Sequence, residues 1–166
     1  MAGAITRGVL FVHSAPRALC PHVEWATGSL LGTRAAFDWT PQPAGRGLFR
    51  AEVSWQHLPG TGARLASALR GWEHLRYEVT EEPSPGVDGG RWSHTPELGI
   101  YHAVTDVHGN TMLSEDRVRA ALAASADPAS LRDALGLALG TAWDEELEPF
   151  RHAGAGAPVK WLHRVG

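Results

Sequence analysis

The chain has 166 residues, which suits one domain, and 43 % of them are hydrophobic, enough to form a core. Its net charge of −3 excludes a basic surface for nucleic acid or anionic lipid. The lone Cys20 excludes an internal disulfide, and the N-terminal residues lack the apolar core of a signal peptide. We therefore expect a soluble cytoplasmic protein that binds neither membrane nor nucleic acid.

The first predicted elements are a strand and a helix. Residues 9–12 form an apolar run that is typical of a strand buried on both faces. Apolar residues then recur at helical spacing from near Cys20, and Gly32 suits the C-terminal cap of that helix. His13, Cys20 and His22 should therefore cluster where the strand meets the helix N-terminus. Anions are often bound at such places, because free N–H groups and the helix dipole favour negative charge.

Four further elements complete the first half of the chain. Alternating apolar and polar residues predict strands over 35–40, 48–55 and 75–79, and a helix is predicted over 65–72. The order strand, helix, strand, strand, helix, strand is that of a ferredoxin-like βαββαβ unit, with both helices on one sheet face. Four charged residues of these strands should point to the other face: Arg50, Glu52, Arg76 and Glu78.

The second half begins with a Pro/Gly-rich stretch at residues 81–90, which is either a seam between two halves or a functional lid. Residues 92–95 and 100–107 are predicted to be the two strands of a hairpin. Ser114 is then expected to cap a helix, since acidic residues suited to a first turn follow it.

A longer helix is predicted to begin at Asp127 and to end at Pro149, and residues 159–165 are a candidate last strand. The predicted fold class is therefore α+β. A ferredoxin-like half at residues 5–80 precedes a strand–helix half at residues 91–166, and the two halves are expected to pack into one compact domain.

Cysteine and histidine offer two kinds of chemistry. Cys20 with His13 or His22 could be a nucleophile and its base, because a helix N-terminus lowers a thiol pKa. The alternative is that Cys20 is a small buried apolar residue. For a metal, His94 and His102 on the predicted hairpin are the best pair. No two histidines show the spacing of a known zinc motif, however, so we predict no metal site.

Three further features have a functional and a structural interpretation. Residues 60–62 stand between a strand and a helix, and with Arg64 they could bind an anion or simply form a tight turn. Acidic residues 144–148 could be general acids and bases, but a solvated helix end is the expectation. Tryptophans near element ends could line a ligand pocket or pack in the core: Trp39, Trp55, Trp72 and Trp92.

The chain carries seven distinctive stretches between Gly8 and about Leu162, namely HSAP, ALCPHVEW, WTPQP, GTGARLA, YEVTEEPSPGVDGG, RWSHTPELG and GTAWDEELEP. As a set they resemble an actinobacterial family known only as a domain of unknown function. The resemblance implies a cytoplasmic actinobacterial protein. It assigns no activity, cofactor or site residue.

The sequence favours a non-catalytic protein that binds a small or anionic ligand, or a regulatory protein, without a cofactor. The site is expected near residues 81–94, where polar groups converge at element ends. Its predicted residues are His13, Cys20, His22, Arg64, Trp92 and His94. Two alternatives stay open: an enzyme that uses Cys20 or a histidine-bound metal, and a structural subunit of a protein complex. A homo-oligomer is also expected.

Overall fold

The protein is described by a computed structural model that covers residues 3–152. Its elements follow along the chain as β1 (Thr6–Pro16), α1 (Cys20–Leu31), β2 (Thr40–Pro41), β3 (Leu48–His57), α2 (Thr61–Leu69), β4 (Arg76–Glu81), β5 (Gly89–Thr95), β6 (Gly99–Thr105), β7 (Thr111–Met112), α3 (Glu115–Ala124), α4 (Pro128–Leu139) and α5 (Thr141–His152). The strands form one antiparallel sheet in the order β2–β3–β1–β4–β5–β6–β7. The prediction of a mixed fold of helices and strands is confirmed.

One face of the sheet is apolar and is covered by α1 and α2, and we call it the α1–α2 face. Leu10 and Val12 of β1 lie at its centre, between apolar side chains of β3 and β4. Helix α1 adds Val23 to this core and α2 adds Leu65 and Leu69, all of them fully buried. Both helices therefore lie on one sheet face, as the sequence predicts.

The opposite face is polar, and α5 crosses it, so we call it the α5 face. Glu78 of β4 points to this side and bonds with Arg151 of α5, while the Arg76 guanidinium lies 4.2 Å from the ring centre of Phe150. The predicted direction of these charged side chains is confirmed. Glu78 is nonetheless completely buried, because α5 covers it.

Three predicted helix ends are confirmed by their caps. Gly32 ends α1 in the left-handed conformation, with φ 67°. The Ser114 side chain accepts a hydrogen bond from the backbone N–H of Arg117 at the start of α3. Asp127 and Ser130 bond reciprocally at the start of α4, so each satisfies a backbone N–H that the helix leaves without a partner.

The strand predicted over residues 35–40 is wrong for most of its length, since β2 comprises only Thr40 and Pro41. The aromatic side chains before β2 are held by each other and by α1. Phe37 stacks on Trp39 at 5.2 Å, and the Trp39 indole donates to Glu24 of α1 at 2.6 Å. The alternating pattern therefore reflects contacts with a helix, and the backbone of this segment does not join the sheet.

The long helix predicted from Asp127 to Pro149 is two helices. Gly140 ends α4 with φ 76°, and a Cβ at this position would lie 2.5 Å from the Tyr101 ring. Helix α5 then continues through Pro149 to His152, so the predicted end at this proline is wrong. Proline removes one helical hydrogen bond. The ion pair of Arg151 with Glu78 holds the last turn in place despite that loss.

The Pro/Gly stretch is shorter than predicted, because β4 extends to Glu81 and β5 begins at Gly89. Residues 82–88 join two strands that are hydrogen-bonded neighbours. Strand β7 was not predicted at all. The candidate strand at 159–165 lies outside the described residues. Among residues 3–152, no helix has both the length and the apolar character needed to cross a membrane.

Gly8 marks the closest approach within the sheet and gives a test of its packing. A Cβ at Gly8 would lie 1.8 Å from the Thr80 carbonyl oxygen and 2.4 Å from the Trp55 ring. We expect Gly8→Ala to lower the free energy of unfolding by about 1–3 kcal/mol, because backbone or indole must move. The control is Gly71→Ala, where nothing lies within 4 Å. Equal stability of the two variants in urea unfolding would contradict this packing.

Candidate functional site

A cluster of buried polar side chains joins the sheet to α5. At its centre, the Glu78 carboxylate accepts hydrogen bonds from His13 Nε2 at 2.7 Å, from Ser93 Oγ at 3.2 Å and from Arg151 Nε at 2.9 Å. Arg151 Nη2 bonds with the other carboxylate oxygen and also with Asp144 at 2.9 Å. We call these five residues the Glu78 cluster. They connect β1, β4, β5 and α5.

An irregularity in β1 brings His13 to this cluster. The register of β1 shifts between Val12 and Ala15, and such a bulge re-aims side chains. His13 and Ser14 consequently both meet partners on the α5 face, Glu78 and Arg76 respectively. Since an ionised carboxylate only accepts, the His13 imidazole must carry a proton on Nε2.

Gln42 braces the cluster from the loop after β2. Its Nε2 donates to the His13 carbonyl at 2.6 Å and to the Phe150 carbonyl at 3.1 Å, and its Oε1 accepts from the Ala44 N–H at 3.0 Å. The amide of Gln42 therefore ties β1 to the last turn of α5. This buried side chain was not singled out in the sequence, where it stands between two prolines in a predicted loop.

The charges of the cluster shift the pKa values of its members. Burial alone would raise the pKa of Glu78. The hydrogen bond and charge of His13 and the charge of Arg151 outweigh that effect, and they hold the pKa well below its ordinary value. Burial likewise opposes the charged form of Arg151, but the carboxylates of Glu78 and Asp144 raise its pKa. Both side chains therefore stay ionised throughout the physiological range.

The lowered pKa predicts how stability depends on pH. Glu78 stabilises the native state fully above its unfolded pKa, near 4.5, and this contribution is lost as the pH falls toward the lower native value. We expect the free energy of unfolding to fall more steeply between about pH 6 and pH 3 in the wild type than in Glu78→Gln. This variant should also be about 3–5 kcal/mol less stable at neutral pH, because Arg151 loses its buried carboxylate partner.

Urea unfolding at a series of pH values measures both effects. Parallel pH profiles for the two proteins would show that Glu78 does not titrate as its contacts require.

An open cleft of about 720 Å³ lies beside the cluster, at the end of the sheet where β1 begins and β4 ends. We call it the strand-end cleft. Its lining includes Val9, Ser54, Thr80 and Arg91, which are paired neighbours across β3, β1, β4 and β5. This row of side chains is the next one along the sheet from the row that holds Glu78. The cleft and the cluster therefore share the α5 face.

Arg91 and Trp55 both border the cleft, but their side chains lie on opposite faces of the sheet. The buried Arg91 brings a guanidinium to the α5 face, with Nη2 3.5 Å from Thr111 Oγ1. The Trp55 ring packs beneath Gly8 in the core of the α1–α2 face, where its Nε1–H finds no hydrogen-bond partner within residues 3–152. Arg91 is therefore the one of the two side chains that can meet a ligand on the α5 face.

The predicted site residues do not meet in one place. His13 lies on the α5 face, whereas Cys20 and His94 lie on the α1–α2 face. His22 is exposed, with its ring 6.0 Å from that of Trp72. The 82–88 connection begins after Glu81, at one end of β4. His13 lies near Tyr77, at the other end of that strand. Glu81 and Tyr77 are four residues apart, which is a separation of about 13 Å.

Several of these residues have structural partners. His94 Nδ1 donates to the Leu75 carbonyl at 2.7 Å, and its ring stacks on Tyr77. Trp92 packs against two glycine positions and stacks on His102 at 4.7 Å. Four tryptophans were predicted to lie either in a ligand pocket or in the core, and all four contribute to the core. Trp55 is a buried member of it, and three others pack against it: Trp39, Trp72 and Trp92.

The helix start that could bind an anion already holds a carboxylate of the chain itself. Glu81 accepts from the backbone N–H of Gly60 at 2.7 Å and from that of Gly62 at 2.6 Å. Arg64 is exposed on the next turn of α2. Gly60 precedes α2 with φ 90°, in the left-handed region that favours glycine, and a Cβ at Gly62 would lie 2.6 Å from the Trp92 ring.

This contact can be tested by removing one acceptor oxygen. We expect Glu81→Gln to lower the free energy of unfolding by about 1–2 kcal/mol, because a neutral amide has one oxygen for two N–H donors. The matched control is Glu82→Gln, whose exposed pair with Arg7 at 3.3 Å should contribute less than about 1 kcal/mol. If both variants lost the same stability in urea unfolding, Glu81 would not cap α2.

The thiol and metal chemistry considered from the sequence finds little support. Cys20 is buried, with Sγ 3.7 Å from the Pro16 carbonyl, and burial raises the pKa of its thiol. A protonated buried thiol is a poor nucleophile. Among residues 3–152, no three His, Cys, Asp or Glu side chains are grouped so that they could hold a metal ion.

Comparisons with known proteins give a family. The profile of a family described as "Protein of unknown function (DUF3145)" matches residues 9–164. The predicted resemblance to a family of unknown function is thereby confirmed. Neither the curated proteins nor the solved structures gave a match.

Proposed function

Because the chain belongs to the DUF3145 family, whose function is unknown, we propose a function from the geometry of the molecule: it binds a small molecule in the strand-end cleft. The observation that carries the proposal is the cleft itself, about 720 Å³ in volume and lined by five strand segments. A volume of this size suits a small organic ligand.

The lining combines groups that hold a ligand in one orientation. Val9 offers apolar surface, while Ser54, Thr80 and Arg91 offer hydroxyl and guanidinium groups. All four stand on strands, so their positions are set by the hydrogen bonds of the sheet and by its packed core. A rigid floor needs little further ordering of its own side chains when a ligand binds, which lowers the entropic cost of binding.

The state of the charged groups favours binding over catalysis. Both oxygens of Glu78 accept hydrogen bonds from protein donors, and Glu81 is bonded to the start of α2. These carboxylates hold the fold together, which leaves them poorly placed to exchange protons with a substrate. The alternative of an enzyme using Cys20 has less support, since that thiol is buried.

The ligand screen is a thermal-shift assay with metabolites grouped as nucleotides, sugar phosphates, organic acids and aromatic compounds. At a hundredfold excess over its Kd, a true ligand stabilises the protein by about 2.7 kcal/mol. Ser54 is exposed in the cleft, so Ser54→Tyr should fill the cleft and abolish the shift. Ser29→Tyr is the matched control, because Ser29 is equally exposed but lies on α1, on the other side of the sheet.

A compound that shifts the wild type and Ser29→Tyr but not Ser54→Tyr would locate the ligand in the cleft. A full response in Ser54→Tyr would show that binding occurs elsewhere. A screen in which no class shifts the wild type would count against the binding function.

The finer features of the sequence interpretation are also proposals. The order β2–β3–β1–β4, with α1 and α2 on one face, supports a ferredoxin-like unit at residues 5–80, extended by β5, β6 and β7. A strand–helix half at residues 91–166, an actinobacterial origin, a cytoplasmic location and a homo-oligomer stay predictions from the sequence. So do the ligand-binding roles of His13, Cys20, His22, Arg64, Trp92 and His94.

A further inference from the structure

The helices that follow the sheet bury few side chains. Neither α3 nor α4 contains a buried residue, and large apolar side chains such as Leu122 and Leu137 are more than half exposed. In α5 only Leu147 and Arg151 are buried. Segments with few buried apolar contacts open locally at a lower free energy than the core. The described helices on the α5 face are therefore the weakest-held part of the fold.

The surface beneath α5 is unusual for a helix–sheet contact because it contains buried polar groups beside the buried apolar side chain of Phe11. Where α1 and α2 cover apolar side chains, α5 covers His13, Glu78 and Ser93. When a helix lifts from an apolar surface, that surface must be hydrated at a cost in free energy. When α5 lifts, buried charges instead regain water, which offsets much of the interaction that is broken.

The two ends of α5 are attached differently. Near its start, Trp143 donates to the Gly99 carbonyl at 3.0 Å and lies 5.1 Å from the Tyr101 ring. Near its end, Arg151 makes its buried ion pair with Glu78, one turn or less from Pro149, which interrupts the helical hydrogen bonds. We call the attachment of α5 at Trp143 the joint, and the Arg151–Glu78 ion pair the latch.

We propose that residues 144–152 form a strap that opens and closes over the α5 face, with Trp143 as the joint and the Arg151–Glu78 pair as the latch. The open strap uncovers Glu78 and Ser93, which neighbour Thr80 and Arg91 along β4 and β5. In this last step, which rests on the proposed function, opening lengthens the strand-end cleft by one row of side chains. The strap then controls access to the inner part of the site.

Hydrogen–deuterium exchange of the full chain, without ligand, tests the strap. We expect the backbone amides of residues 145–152 to exchange at least about tenfold faster than those of β1 and β4, because the strap opens without global unfolding. Exchange of the strap at the same slow rate as β1 and β4 would overturn the proposal. The measurement involves no ligand, so its failure is distinct from that of the proposed binding function.

The latch is tested by Arg151→Lys, which keeps the charge but loses the planar fork that bonds with Glu78. We expect exchange in the strap to rise about tenfold further, and exchange in β1 and β4, which also starts from the closed protein, to rise by no more than that factor. Arg132→Lys is the matched control, because Arg132 is an exposed arginine of α4, and it should change nothing. If Arg151→Lys leaves exchange in the strap unchanged, or prevents folding, the latch is refuted.

Discussion

The ion pair between Glu78 and Arg151 is the contact on which the arrangement of the α5 face depends. Both side chains are completely buried, so each charge needs compensation within the protein. His13, Ser93 and Asp144 supply further hydrogen bonds to the two groups. Because these donors and acceptors match in only one placement of α5, the cluster fixes the position of the helix. An apolar contact of equal area would tolerate a shifted helix more readily.

The two faces of the sheet thus solve the same packing problem in different ways. On the α1–α2 face, burial of apolar side chains such as Leu10 and Leu65 supplies stability and needs no precise partners. On the α5 face, specificity comes from hydrogen bonds, and the gain in stability is smaller because charges lose their hydration. One face of the sheet is therefore held mainly by apolar burial, and the other depends on a network of buried hydrogen bonds.

Local sequence patterns predicted the parts of the fold that depend on local physics. The alternation of apolar and polar residues predicted the strands around Val53 and Val79. Capping residues predicted the end of α1 and the starts of α3 and α4. The candidate site depends instead on contacts between distant residues. Arg151 and Glu78 are 73 residues apart, and Pro149 is an ordinary signal that a helix has ended. Tertiary contacts of the last turn, namely the Arg151–Glu78 ion pair and the Gln42 hydrogen bond to the Phe150 carbonyl, explain why α5 continues past it.

A partial signal for this site was nonetheless present. Glu78 stands in a strand whose neighbours Tyr77 and Val79 are apolar, and the predicted direction of its side chain was right. The sequence pattern did not show that α5 covers this face. Alternation of apolar and polar residues shows that one face of a strand is polar, but it does not show whether that face is exposed. The predicted site residues are dispersed for a related reason. His13 and Cys20 are close in sequence, but the sheet separates them onto opposite faces.

The position of the strand-end cleft follows from the lengths of the elements. Helix α5 has 12 residues and spans about 18 Å, whereas the 11 residues of β1 span about 36 Å. A helix of that length cannot cover the whole α5 face, and its latch fixes it over the end that carries His13. The other end, beside Val9 and Thr80, forms the floor of the strand-end cleft. The same ion pair that places α5 therefore also determines which end of the α5 face this helix leaves uncovered.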